Sequence, residues 1–174
     1  MTTTKPQFEL DAVEAKLNSY TPRRELHGED PQPAASLAFA VNLDADALAM
    51  FAPTLRSSLF YKSAHEGGDM VDQIADAADL RYPEIAKALH WDREIVGAEV
   101  VIDHGLGGKS AIELGGCDVD NFTLQAMQGG RVIVTFRVAC HPDEKQSGKL
   151  AFLIGEAVTL SLSPPEADLA EKGA

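Results

Sequence analysis

The sequence predicts an α+β fold: a mostly antiparallel β-sheet, arranged as a sandwich or a partly open barrel, with a helical or irregular insertion and one late helix. Three observations carry this. In Arg131–Cys140, RVIVTFRVAC, the even positions Val132, Val134, Phe136, Val138 and Cys140 are all apolar, while the odd positions are mixed. That is the period of a half-buried strand, and its β-branched content agrees. Gln128-Gly129-Gly130 precedes it, after the alternating run Phe122, Leu124, Ala126, which marks a β-hairpin. Beyond it, His141-Pro142-Asp143-Glu144 leads to Lys145, Lys149 and Gly155, with acids and proline first and bases and glycine last, as the helix dipole favours.

Taken in order, residues 1–7 read as a tail. From Phe8 to Leu26 the pattern is extended, with Val13, Ala15 and Leu17 alternating against Glu14, Lys16 and Asn18. Thr21-Pro22 points to an edge position or a break. His27-Gly28-Glu29-Asp30-Pro31 is a turn cluster, after which Ala35, Leu37, Phe39, Val41 and Leu43 alternate. Residues 13–43 are thus predicted to be a hairpin with a long loop. Asp44 suits the N-cap of a short helix over Ala45–Phe51, and Pro53 starts a second in which Leu55 and Leu59 share a face. Lys62–Gly68 reads as a loop. Asp69–Leu80 has amphipathic helical spacing, and Pro83–Trp91 is assigned a further short helix.

The second group of strands starts at Glu94, with Val96, Ala98, Val100 and Ile102 alternating. Ser110–Leu114 reads as a short strand, broken by Gly115-Gly116 and resumed over Cys117–Ala126. The late helix should bury Leu150, Leu153 and Ile154, and Ala157–Leu162 is the last strand. The organisation is one domain over residues 1–174, with its sheet core in 8–43 and 94–162, the insertion in 44–92 and a tail in 163–174.

Composition bounds the chemistry. Of 174 residues 45% are hydrophobic, enough for a core without covalent staples, and the formal net charge is −12. That charge disfavours a surface that tracks phosphate everywhere, because counterion release needs clustered Lys and Arg, but it leaves room for a local basic stripe. Two cysteines make no disulfide framework. No apolar run has signal-peptide character or membrane-spanning length, so the expected setting is cytoplasmic, without a membrane.

Asp103–Ser110, DHGLGGKS, ends like a P-loop, but Asp103 stands where glycine is needed, and Ala111–Leu114 reads as a strand where a helix should follow. It is read as a hairpin turn. His104, His141, Cys117, Cys140, Asp118 and Asp120 have none of the spacings of a metal site, and no nucleophile motif is present. No metal, cofactor or catalytic residue is assigned, and the expectation is a non-enzymatic protein that acts by binding. The candidate contact residues are cations and one ring on sheet faces. Lys16, Tyr20 and Arg24 share one parity, Arg23 stands beside them, and Arg131 and Arg137 share the mixed face of the central strand. Such a face suits single-stranded DNA, with charge following the backbone and rings stacking on bases.

Four stretches also carry a resemblance. They are Arg24–Leu37 (RELHGEDPQPAASL), Ala52–Tyr61 (APTLRSSLFY), Leu89–Asp92 (LHWD) and Gly130–Leu150 (GRVIVTFRVACHPDEKQSGKL). Together they resemble a family of small, largely uncharacterised proteins encoded by tailed bacteriophages and prophages. The family's features are an early His-Gly-Asp/Glu turn, a Pro-x-Leu-Arg segment, a Trp-Asp and a strand–His-Pro-Asp-Glu–helix ending. The resemblance brings no catalytic residues. It implies an accessory role in phage DNA replication or recombination, in the host cytoplasm. The partners it leaves in view are single-stranded DNA and a host or phage protein, and self-association is compatible with it. Two other readings stand beside the first: an acidic inhibitor that binds a host protein, of anti-defence or DNA-mimic type, and a virion component.

Overall fold

The computed structural model describes residues 7–62, 78–85, 87–105 and 110–165. The chain forms a closed six-stranded antiparallel β-barrel with short helices. Its strands are β1 (Leu10–His27), β2 (Asp30–Asp44), β6 (Ile95–Asp103), β7 (Ile112–Met127), β8 (Arg131–Cys140) and β9 (Ala157–Ser163). Around the barrel they run β7-β6-β9-β1-β2-β8, and β8 pairs back on β7. Closure settles the choice left open between sandwich and barrel. β5 (Leu89–Trp91) adds a seventh strand along β7, and β3 (Phe60–Tyr61) pairs with β4 (Asp79–Leu80) in a separate ribbon.

β8 is the strand its alternation announced. Val132, Val134, Phe136, Val138 and Cys140 are all buried, between β2 on one side and β7 on the other. One contiguous core fills the barrel, and its aromatic centre is Phe8, Phe39, Phe51, Phe122 and Phe136.

The strict period of two fails wherever a bulge adds a residue. In β7, Leu114 and Cys117 are both buried three positions apart, because Gly116 (φ +63°) takes up the extra residue opposite β6. The glycine pair therefore bends a continuous strand where a break was expected. Val119 and Phe122 repeat the pattern around Asn121 (φ 56°). In β6, Gly97 (φ +80°) turns Val96 outward to 63% exposure, so Ile95 and not Val96 packs, partly buried, against the core. Each bulge raises local twist and bends its strand, as closing a small barrel requires.

The β1–β2 hairpin differs from expectation in its turn. His27 pairs with Asp30, so only Gly28 (φ +69°) and Glu29 lie between the strands, and the long loop is absent. β9 covers β1 only as far as Lys16, and β8 covers β2 only from Ala35. Residues 21–33 thus project as a two-stranded arm with Leu26 at 76% exposure. Counted from the turn, the pairs exchanging backbone hydrogen bonds are His27–Asp30, Glu25–Gln32 and Arg23–Ala34. Pro22, Pro31 and Pro33 fall between them, where a missing N–H faces solvent and costs the hairpin nothing.

The described part of the insertion packs on the sheet. Asp44 caps a 3₁₀ helix (Ala45–Met50) by accepting from the Asp46 N–H, and α1 (Leu55–Leu59) buries Leu59. The Ala45 N–H donates to the Gly130 carbonyl, and the Gly129 and Gly130 N–H groups both donate to Ala78 O. The helix predicted over Asp69–Leu80 lies outside the described residues as far as Ala77, and its last two residues are β4. Pro83–Trp91 is not a helix: a turn at 83–84 leads into β5, whose three residues complete hydrogen bonding along β7.

After β8 comes α2 (Glu144–Phe152), whose capping box joins Asp143 and Gln146 in both directions. Leu150 is buried and Leu153 partly so, but Ile154 lies beyond the helix and is exposed. The crossover meets the arm where His141 Nε2 lies 3.0 Å from Glu25 Oε2. It rejoins the barrel where the Gly155 N–H donates to Leu17 O at 2.7 Å. The His141 contact is also what chiefly holds the Glu25 carboxyl below its ordinary range.

Candidate binding face

The candidate residues are sorted by a single bulge. Leu17 pairs with Phe39 and Ser19 with Ala38, so Asn18 is the extra residue in β1. Before it Lys16 points outward; after it Ser19, Thr21 and Arg23 do, while Tyr20 turns inward and packs against the core. Lys16, Tyr20 and Arg24 therefore do not share a face, which corrects the parity reading. Tyr20 is lost to the surface, and Arg24 lies on the inward parity out on the arm, opposite Pro33. Arg23 moves into register with Lys16.

The outer face of β1, β2, β8 and β7 can be read in rows from the pairing. One row is Lys16–Ala40–Thr135–Thr123, continued by His90 of β5; the next is Ser19–Ala38–Arg137–Asp120; the next is Thr21–Ser36–Ala139–Asp118. Side chains in the middle of this face are small, and a groove of about 540 Å³ lies over Ser19, Thr21, Ser36, Ala38, Thr135 and Arg137. Thr123 and Thr135 hydrogen-bond across the β7–β8 pair.

Lys16, Arg23, Arg131 and Arg137 all stand on this face. Arg137 is gripped by Asp120 in a two-pronged pair, Nε to Oδ1 at 2.8 Å and Nη2 to Oδ2 at 2.6 Å, and that carboxylate raises its pKa further. The grip uses two of five guanidinium N–H donors and fixes where the others sit. Arg131 donates to Asn42 through Nε and Nη2, both at 3.0 Å, with Asp44 Oδ2 at 4.0 Å. Arg23 donates to Ser36 Oγ at 2.9 Å and pairs with Glu25. Among the described residues Lys16 and Arg24 form no ion pair. Six residues on a strand span roughly 20 Å, so Arg131, at the start of β8, stands well apart from Arg137 in the middle of the face.

The opposite wall differs in charge. Glu99, Asp103 and Glu113 occupy outward positions on β6 and β7, facing Ser163, Thr159 and Val101 respectively, and β6 and β9 contain no Lys or Arg. Cations of the barrel strands are thus confined to the β1–β2–β8 side, where Glu25, Asp44 and Asp120 stand against three of them.

The remaining sequence candidates are dispersed. Asp103 accepts from the Gly105 N–H in a turn, and His104 Nε2 lies 2.9 Å from Ser110 O, where β7 follows in place of a P-loop helix. Among the described residues no three of His, Cys, Asp and Glu gather around a common point. No helix among them is long and apolar enough to cross a membrane.

Cys117 and Cys140 are free thiols on the core side. Burial pushes them up to about 12 and about 11. Folded values above the unfolded ones mean stability that is whole below the unfolded thiol pKa and lost as pH rises through the folded values. The expected result is that both thiols resist a disulfide reagent at pH 8 and react at once in urea. Denaturation midpoints should fall as pH climbs from about 9 toward 12, and a Cys-to-Val double variant should flatten that decline.

Groove residues that sequence reasoning did not single out are the small ones, Ser19, Thr21, Ser36, Ala38 and Thr135; Asn42 and Asp120 hold Arg131 and Arg137 in place, and of these Asp120 was weighed only as a metal ligand. The alternation Ser36, Ala38, Ala40 was visible as the non-core parity of β2; the cross-strand partners were not. Comparison of the chain with protein-family models, curated proteins and solved structures gave no match.

Proposed function

We propose that the protein is a non-enzymatic binding module whose outer β1–β2–β8–β7 face lays an extended single strand of DNA across the barrel, as an accessory of phage DNA replication or recombination. The observation that carries this is the sharing of one face by Lys16, Arg23, Arg131 and Arg137, with Arg137 lining a groove floored by small side chains. Small residues let a chain lie close, and cations along its path neutralise phosphates. Tyr20 packs inward, so on this face contact falls to the backbone, and affinity should be modest and steeply salt-dependent.

The test is anisotropy of a labelled oligothymidylate at low and moderate salt. Wild type should bind at low salt, and Lys16→Glu combined with Arg131→Glu should weaken binding about tenfold while lowering the salt slope by about 1.4. Absence of binding at low salt ends the reading.

The competing reading, an acidic protein that occupies the DNA site of a host enzyme, draws on Glu99, Asp103 and Glu113. It predicts that charge reversal on that wall, and not at Lys16, abolishes capture of a defined host partner.

A further inference from the structure

The most exposed large apolar side chain among the described residues is Phe152, at 87%. It ends α2, and with Lys145 and Lys149 it follows the i, i+4, i+7 spacing that puts three side chains on one helix face. All three line a single surface depression of about 690 Å³, whose other walls are Asp143, Glu144 and Gly148. Asp143, which is occupied with its cap, Glu144 and Lys145 stand at the helix's N-terminal end, and Lys149 and the ring stand in its last turn.

Gly148 is the second observation. It lies inside a nine-residue helix, exposed, and a Cβ built on it would meet nothing within 4 Å. Glycine in a helix interior is unfavourable relative to alanine. No close approach of another element requires it here. What its missing Cβ does is clear the floor of the depression between Lys145, Lys149 and Phe152.

The position of the depression relative to the proposed DNA face is the third. The Gly155 N–H donates to Leu17 O, and Ala157 pairs with Lys16. Phe152 is three residues from Gly155, a reach of at most about 11 Å. The end of α2 therefore adjoins the edge of the face at Lys16.

We infer that the Lys145–Lys149–Phe152 face of α2 is the base-stacking part of the nucleic-acid path: a base of the strand that crosses the Lys16 edge lies on the Phe152 ring over Gly148, with the two lysines on the flanking phosphates. The inference rests on the reading given under Proposed function and supplies the ring that its groove lacks. A flat π-face in reach of two ammonium groups fits an anionic chain bearing aromatic bases, since stacking is indifferent to which base it meets.

The experiment compares wild type, Phe152→Ala, Phe152→Trp and Gly148→Ala, binding a labelled oligothymidylate and an abasic strand of equal length, with thermal melts to verify folding. Wild type should prefer the base-bearing strand, and Phe152→Ala should lose about tenfold for that strand only, with its salt slope unchanged. Phe152→Trp should retain affinity and show emission quenched by the oligonucleotide. Gly148→Ala should melt higher yet bind more weakly. If wild type binds both strands equally, or Phe152→Ala binds like wild type, the stacking assignment is overturned and the DNA reading stands. If wild type binds neither strand at low salt, both fall together.

Discussion

Phe122→Ala is expected to lower the unfolding free energy by about 3–5 kcal/mol, read from urea denaturation followed by circular dichroism. The ring is fully buried. It meets Phe8 edge-on with centroids 5.1 Å apart, Phe51 at 5.7 Å and Phe136 at 5.9 Å. Those three partners belong to the segment before β1, to the end of the 3₁₀ helix and to β8, so one side chain ties three parts of the chain together. Truncating it leaves a void that rigid strands on either side are poorly able to close, which places the cost at the upper end for a core residue. Phe122→Leu should recover most of the loss. A cost below about 1 kcal/mol for the alanine variant would mean that the aromatic centre repacks and that the barrel does not depend on it.

Arg93→Ala should follow with about 2–3 kcal/mol. Arg93 stands between β5 and β6 and donates through Nη1 to Met50 O at 2.7 Å and through Nη2 to Phe51 O at 3.0 Å. Its guanidinium carbon lies 5.6 Å from the centre of the Phe51 ring, and partial burial lowers its pKa. The fork thus satisfies carbonyls at the end of the 3₁₀ helix that have no successor turn to accept from. Arg93→Lys keeps the charge but cannot span both oxygens. It should therefore recover only a minor share in the same denaturation assay; full recovery by lysine would show that charge, and not the fork, holds the helix end.

What could be read from the residues was whatever obeyed a period. β8 was legible because every second residue is apolar and no bulge interrupts it. Asp44 was legible as a cap, since capping depends on a local side chain reaching its own backbone, whereas Asp143, read as a first-turn acid, proves to be the cap of α2. The side chains assigned to the wrong face share a cause. At Asn18, Gly97, Gly116 and Asn121 the chain adds a residue whose effect is to invert inside and outside, and parity counted across such a point assigns the wrong face. Tyr20 and Val96 are the residues this misplaced. The arginines on the binding face were found by type and parity. Their carboxylate and amide partners were not, because Asp120 and Asn42 become neighbours only through strand pairing. Pro83–Trp91 failed for another reason: β5 exists to satisfy hydrogen bonds along β7, a demand that no residue in 83–91 announces.

The proline-bearing arm has a consequence for how the molecule behaves in a crowded solution. A long, protruding ribbon with open flanks is the usual seed for edgewise polymerisation, since each flank offers a row of donors and acceptors to any extended neighbour. Pro31 and Pro33 on one flank and Pro22 on the other remove donors from those rows. The arm can thus stand far out from the body and meet other molecules through its side chains, without recruiting further copies into a growing stack.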